Sequence, residues 1–292
     1  MVFRTDLAIE EKESLKGPLD GVEQQEEQME DCKVTRIKIK TERAAKRLNK
    51  ARGNYITLEV PAISDHIDGE NKYMLRVAEE LKQLLPKDGL VLVAGLGNRN
   101  ITPDALGPHV SELVLATRHI RGELARVTGL TGLRPVAVVS TGVLGNTGFE
   151  AAELLLGLVE YLRPSAVIAV DALASRNLSR LGCTVQLSDT GIAPGAGVNN
   201  ARPQLDRGTL GVPVISMGVP TVVDAATLAM DLFEGEEKEA MEEKLTPRGA
   251  QMVVTPREID LLISRASKLI AMAMNLALNP CFSVEEINAL VM

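Results

Sequence analysis

Two aspartates in this sequence stand where a carboxylate can do chemistry. Asp104 lies in the glycine-rich stretch GLGNRNITPDALGP, residues 95–108, and Asp171 directly follows the apolar run AVIAV, residues 166–170. A carboxylate so close to a buried strand must be paired, hydrogen-bonded or protonated, because its desolvation is costly. If the two lie side by side, their repulsion leaves one protonated and the other ionised. Such a pair supplies an acid and a base for hydrolysis.

Each aspartate also has a purely structural interpretation. Asp104 precedes Gly107-Pro108, which open a helix, so its carboxylate would simply cap that helix. Asp171 has Arg176 five residues further on, and the two would form an ion pair. The local sequence leaves both interpretations open.

Three further residues are supporting candidates. Asp189 begins the triplet DTG, which resembles the acid-Thr-Gly motif of ordinary aspartic proteases, although those enzymes are all-β. Asp224 begins a helix and is better placed to cap it, whereas His109 follows the Asp104 loop and could face the same site. The loop lacks the third glycine of a dinucleotide site and a Walker lysine, so we expect no cofactor. We likewise assign no metal site.

The elements that would position these residues alternate between strands and helices. Apolar runs predict buried strands at residues 89–94, 134–140, 166–170, 183–187 and 212–217. Helical periodicity covers residues 73–85, 108–120, 149–162 and 256–278, the last with Thr255 as its cap. This alternation predicts an α/β three-layer sandwich with a mostly parallel, mixed-edge sheet. In such sheets ligands gather at the carboxyl ends of the strands, where both aspartates would meet.

The N-terminal quarter has a different pattern. Residues 1–31 are polar and acidic and predict a loosely held arm. Val34–Ile39 and Tyr55–Val60 alternate apolar and polar residues, which predicts a small antiparallel β appendage beside the main sheet. The basic stretch between them, residues 40–53, is interpreted as a solvated helix or loop, with an anionic contact site as the alternative.

Composition limits the function classes. The chain has 292 residues, 45% of them hydrophobic, and a net charge of −7, which argues against direct nucleic-acid binding. Its start has no signal-peptide core, and no run approaches the length of a membrane span. Three widely spaced cysteines have neither metal-ligand nor redox-motif spacing, so we expect reduced thiols in a cytoplasmic compartment.

Five ordered blocks of the sequence resemble one known family. The blocks are GLGNRNITPDALGP, PVAVVSTGVLGNTGFE, AVDALASR, QLSDTGIAPGAGVNN and GVPVISMGVPTVVDA. They are similar to the spore germination proteases, the endopeptidases that degrade small acid-soluble spore proteins. The resemblance implies an atypical aspartic-type peptidase with a phosphorylase/hydrolase-like fold, made as a zymogen and assembled as a homotetramer. It places the two essential aspartates on Asp104 and Asp171, and the protein in the cytoplasm of the developing spore and in the spore core.

The resemblance also implies a self-processing site. Family zymogens cut themselves at an acidic residue followed by an apolar residue and Ala, a pattern that falls on Asp6, Leu7 and Ala8. The implied cut lies between Asp6 and Leu7. The domain plan is then a prosegment at 1–6, shorter than is usual, an arm with the small β element at 7–71, and an α/β catalytic domain at 72–292.

Two other functions remain as alternatives. The same GxGN…D layout resembles hydrogenase maturation proteases, which would make the site metal-assisted. Asp104 and another acid would then hold the ion, with His109 as an optional helper. A protein that binds small spore proteins or a nucleotide-type ligand through residues 95–98, without cleaving a peptide, is the third hypothesis.

Overall fold

The computed structural model describes residues 5–15, 17–65, 70–198, 202–232 and 252–291, and within them the chain forms one nine-stranded mixed sheet. The strands in chain order are β1 (Val22–Gln28), β2 (Lys33–Ile39), β3 (Gly53–Glu59), β4 (Val91–Leu96), β5 (Val136–Gly142), β6 (Ala166–Ser175), β7 (Thr184–Ser188), β8 (Val214–Asp224) and β9 (Val253–Val254). The helices are α1 (Ala8–Ser14), α2 (Glu42–Leu48), α3 (Glu70–Leu84), α4 (Leu106–Leu113), α5 (Gly122–Thr128), α6 (Leu144–Thr147), α7 (Ala151–Leu162), α8 (Arg207–Leu210), α9 (Ala225–Leu232), α10 (Ile259–Leu278) and α11 (Val284–Val291).

The sheet has a parallel half and an antiparallel half. Its strand order is β1-β2-β3-β7-β8-β6-β4-β5, and β8, β6, β4 and β5 run parallel to one another. The strands from β1 to β8 along this order are antiparallel neighbours, and β9 adds an antiparallel pair to β8. The predicted α/β fold with a mixed sheet is therefore confirmed.

Helices cover both faces of the parallel half. Val91 and Val93 of β4 belong to a core shared with α3, α4 and α10, whereas Leu92 and Ala94 belong to a core shared with α7. Successive side chains of a strand point to opposite faces, and here each face contacts an apolar core. Every position of the strand is therefore apolar, and the strand is one continuous apolar run. Strands of this kind can therefore be predicted from the sequence as apolar runs.

The N-terminal region is more ordered than the sequence predicts. The loose arm expected for residues 1–31 is wrong over its described part, which forms α1 and β1. Leu7, Ala8 and Ile9 are buried in a core shared with β2 and α2. β1 is an edge strand whose mostly exposed Glu and Gln side chains give it a polar composition. The predicted antiparallel pair, β2 and β3, exists and continues into the main sheet through β7.

The long helix α10 packs against α3 and α4 on one side of the sheet. By length and composition alone it could cross a membrane, but two thirds of its apolar window is buried inside the protein. The predicted cap at Thr255 is wrong, because the helix begins at Ile259 and the Thr255 hydroxyl instead donates to the Thr221 carbonyl (2.8 Å). That hydrogen bond holds the residues that lead into α10 against β8.

Candidate functional site

Asp104 lies in the connection between β4 and α4. The chain turns at Gly97 with φ of +103°, and a Cβ there would lie 2.1 Å from the Asp104 carbonyl oxygen, so only glycine fits. The Asp104 carboxylate accepts the backbone N–H of Asn98 at 2.7 Å. The residue that precedes α4 makes no side-chain capping bond. Asp104 thus closes its own loop and does not cap the helix.

Asp171 lies inside a strand and not beyond its end. The sequence predicts that the strand ends at Val170, but β6 continues to Ser175 because its pairing with β8 continues that far. Asp171 lies opposite Gly218 and is 4% exposed. Its Oδ1 accepts the N–H of Ala172 at 2.9 Å. The expectation that each aspartate follows a strand therefore holds for Asp104 and is wrong for Asp171.

Both aspartates line one cavity of about 470 Å³, together with Asp6 from the N-terminal segment, residues 5–10. Burial, then the charges of Asp104 and Asp6, raise the pKa of Asp171 well above its usual range. Burial also raises the pKa of Asp104, and the hydrogen bond from Asn98 opposes that rise. The two carboxyls of the cavity therefore differ in their surroundings, since two negative charges act on Asp171 whereas Asp104 accepts a hydrogen bond. An acid–base pair requires such a difference.

The N-terminal segment lies against this cavity. The backbone N–H of Asp6 donates to the Ala174 carbonyl at 2.9 Å, and the Asp6 carboxylate accepts the N–H of Ala174 at 2.8 Å. A second backbone donor to that carboxylate is Gly197, where a Cβ would lie 2.4 Å from Asp6 Oδ2. Burial raises the pKa of Asp6, and the charge of Lys50 opposes the rise.

The backbone on either side of the Asp6–Leu7 bond is also held. Lys50 Nζ donates to the carbonyl oxygens of Thr5 and Asp6, both at 3.0 Å. The side-chain amide of Gln186 donates to the Asp6 carbonyl at 3.0 Å and accepts the Ala8 N–H at 2.8 Å. These contacts lie in a second cavity, of about 590 Å³, which Asp6 also lines.

Glu10 anchors the other end of the segment. Its carboxylate accepts the backbone N–H groups of Arg176 (2.7 Å) and Asn177 (2.9 Å), and the Thr5 hydroxyl also donates to it. Arg180 Nη1 lies 3.8 Å from the same carboxylate. The segment from Thr5 to Glu10 is therefore fixed at both ends.

The supporting candidates lie elsewhere. The Asp189 carboxylate accepts the backbone N–H of Asn54 at 2.7 Å and its side-chain amide at 2.5 Å, which joins the end of β7 to β3. Asp224 caps α9 by accepting the Thr227 N–H at 2.9 Å, as its helical position predicts. His109 is partly exposed on α4, with Nδ1 3.9 Å from Glu112 Oε2. The structure brings none of these three residues to the cavity of the aspartate pair.

The donor set does not fit a metal centre. Within the part of the chain that the structure describes, no three His, Cys, Asp or Glu side chains are grouped so that they could hold an ion. His109, the optional helper in the metal-assisted hypothesis, is not among the residues that line the cavity of Asp104.

Local sequence pattern does not mark Lys50, Gln186 or Glu10 as site residues. Lys50 lies within residues 40–53, the stretch interpreted as solvated, although α2 there buries Ala44, Ala45 and Leu48. One feature of the sequence could have indicated Gln186, since it is the single amide in the fully buried strand TVQLS. A buried amide needs hydrogen-bond partners, and here its partners are the N-terminal segment.

Comparison with known proteins gives a consistent result. The family model for germination protease matches residues 2–234. Germination proteases of Clostridium tetani and Caldanaerobacter subterraneus subsp. tengcongensis are 41% and 44% identical, each over 99% of this chain and over 99% and 98% of their own lengths. The germination protease of Bacillus velezensis is 35% identical over 95% of this chain and 94% of its own.

Among solved structures, the NiFe hydrogenase maturation protease HycI from Thermococcus kodakarensis KOD1 is similar at a TM-score of 0.37 and 16% identity. That match covers 67% of this chain and 98% of that protein. The match to the family model and the full-length relatives identify the chain as a peptidase. The chain belongs to the germination protease family.

Proposed function

We propose that this protein is an endopeptidase that begins the degradation of small acid-soluble spore proteins during germination. Its place of action is the cytoplasm of the developing spore and the spore core. Family membership supports the substrate class, since the relatives are germination proteases. The net charge of −7 is consistent with a protein whose partners are proteins and not nucleic acid.

The catalytic groups are Asp104 and Asp171. One observation carries the proposal: both line a single cavity against which the N-terminal segment places Asp6. Asp104, more readily ionised, takes a proton from a water molecule whose oxygen adds to the carbonyl carbon of the bond to be cut. Asp171 holds its proton and gives it to the leaving nitrogen as the C–N bond breaks. The products are a new carboxylate and a new amine.

The protein is made as a zymogen that cuts itself between Asp6 and Leu7, which makes residues 1–6 the prosegment and residues 72–292 the catalytic domain. The contacts of Asp6 with Ala174 support this, because they hold a candidate cleavage site against the cavity before any substrate arrives. A substrate segment with an acidic residue before the cut would bind in the same place.

The test uses purified full-length protein and its mass. We expect the wild type to lose the residues before Leu7 and to cut a small acid-soluble spore protein. Asp104→Asn and Asp171→Asn each slow both reactions by about 10²–10⁴-fold, the usual contribution of general acid–base catalysis. Asp260→Asn, an exposed carboxylate on α10, serves as the matched control. Wild-type cleavage by either site variant would remove that residue from the mechanism.

The homotetramer belongs to the proposal on the family resemblance alone. Light scattering would then give four times the chain mass of 31.4 kDa. A single-chain mass for protein that self-cleaves would contradict the assembly and leave the catalytic proposal standing.

A further inference from the structure

We infer that Lys50 and Gln186 are a pair of oxyanion donors, which stabilise the negative charge that develops on the Asp6 carbonyl oxygen when the Asp6–Leu7 bond is cut. The inference rests on the proposed function and assigns roles to two residues outside the glycine-rich loops. Both touch the reacting carbonyl, so both would be catalytic residues.

Local structure aims Lys50 at this oxygen. Helix α2 ends at Asn49, whose φ of +48° is left-handed, and the backbone N–H of Lys50 then donates to the Ala45 carbonyl at 3.1 Å. The side chain leaves the helix end towards the segment, where Nζ lies 3.0 Å from the oxygens of both Thr5 and Asp6. A cation at this position attracts charge that develops on either oxygen.

Gln186 approaches from the sheet. It lies in the middle of β7, opposite Thr57 of β3 and Gly218 of β8, and is 7% exposed. Its Nε2 donates to the Asp6 carbonyl at 3.0 Å and its Oε1 accepts the Ala8 N–H at 2.8 Å. One rigid amide therefore spans the bond to be cut, with its donor on the carbonyl that would carry the charge.

The charges around Lys50 favour this role. Burial lowers the pKa of Lys50, and the negative charges of Asp6, Glu11 and Glu10 oppose that fall. Burial also removes water that would otherwise weaken a hydrogen bond to a developing anion. A lysine placed here only for solubility would face solvent.

The donors and the acids lie in different cavities that meet at Asp6. Lys50 and Gln186 line the cavity of about 590 Å³, whereas Asp104 and Asp171 line the cavity of about 470 Å³. A water molecule that attacks from the side of the acids pushes the carbonyl electron pair onto oxygen, towards the donors. The resulting alkoxide then re-forms the carbonyl, expels the Leu7 nitrogen, and that nitrogen takes a proton from the acid. Both donor distances, 3.0 Å, fall in the range expected for an oxyanion site.

The experiment separates catalysis from binding. Lys50→Met removes one donor, and Gln186→Glu replaces the other donor while it keeps an acceptor for Ala8. The readouts are the first-order rate of self-cleavage by mass, and kcat and KM of processed enzyme on a peptide carrying residues 1–20. We expect each variant to lose about 10²–10³-fold in kcat with KM little changed, because the interaction strengthens in the transition state. Lys50→Arg, which keeps the charge, should recover part of the rate.

Lys38→Met is the matched control, since Lys38 is an exposed lysine on β2. This substitution removes one positive charge, as Lys50→Met does. Far-UV circular dichroism and the melting temperature establish that each variant folds, and Gln186→Glu carries the test alone if Lys50→Met does not fold. If the wild type cuts and either folded variant keeps wild-type kcat, or loses only in KM, that donor role is wrong while the proposed function stands. If the wild type cuts neither itself nor the peptide, the proposed function and this inference fall together.

Discussion

Glu10 gives the sharpest test of how the N-terminal segment is held. Its side chain is 2% exposed, and its carboxylate is the acceptor for two backbone N–H groups, those of Arg176 and Asn177. Substitution by alanine removes that acceptor and leaves the N–H groups of half-buried Arg176 and exposed Asn177 without their protein partner. The change therefore tests one specific set of contacts between the segment and the end of β6.

The size of the effect follows from the number of groups left unsatisfied. Both hydrogen bonds are only partly buried, so water can replace the lost acceptor. At a net contribution of about 0.5–1.5 kcal/mol for each hydrogen bond, Glu10→Ala should lower the free energy of unfolding by about 1–3 kcal/mol. Glu10→Gln keeps one oxygen as an acceptor, so about half of that loss is expected. The total stability of a domain is about 5–15 kcal/mol, so the loss is large enough to measure.

The assay is urea unfolding followed by far-UV circular dichroism, because the chain has no Trp and only three Tyr. Hydrogen exchange of the Asn177 amide reports directly on the lost acceptor. Glu23→Ala is the control, since Glu23 and its partner Lys40 are both exposed and such pairs contribute at most about 1 kcal/mol. If Glu10→Ala unfolds within the error of the control and Asn177 stays protected, Glu10 does not anchor the segment.

Two further predictions concern the cavity itself. The folded pKa of Asp171 lies above its unfolded value, so wild-type stability falls as pH rises from about 4 towards the folded pKa, by up to about 1.4 kcal/mol per pH unit. Asp171→Asn cannot lose a proton at this position, so its free energy of unfolding relative to wild type, measured by urea titration, should increase with pH. A difference in unfolding free energy that stays constant with pH would contradict the raised pKa. Gly107→Ala should cost about 3 kcal/mol or more and abolish cleavage, because the added Cβ would lie 2.3 Å from the Leu96 carbonyl oxygen and 2.6 Å from that of Val170. Wild-type stability of this variant in the same titration would mean that α4 has room to move away from the sheet.

The sequence predicted best those parts of the fold that are buried on both faces. The runs at residues 89–94 and 166–170 are almost wholly apolar, and both are strands covered by helices on either side. Asp104 and Asp171 were placed near one another by the rule that parallel strands share a carboxyl edge. Their position in one cavity follows from that rule and from the direction of the strands.

The contacts that complete the site come from distant parts of the chain, and local pattern does not specify them. β6 extends beyond Asp171 because β8 offers a partner as far as Val223. Edge strand β1 lacks an apolar face, so no periodicity marks it. Lys50 reaches the site through the end of α2, and its neighbours there are more than 40 residues away in sequence. A basic stretch gives no sign of which of its lysines faces inward.

The proposed cut would change the electrostatics of the site in one direction. It would add a carboxylate at the main-chain carbonyl carbon of Asp6, whose oxygen contacts Lys50 and Gln186. Lys50 is the cation next to the new charge, and it faces more than one carboxylate before the cut. Leu7, by contrast, is fully buried in the core that α1 shares with β2, so the new amine end stays in place. The residues after the cut would thus be retained by burial, whereas those before it would be held only by hydrogen bonds that water can replace. Their departure frees the Ala174 N–H, together with Lys50 and Gln186, for the acidic residue of the next chain to be cut.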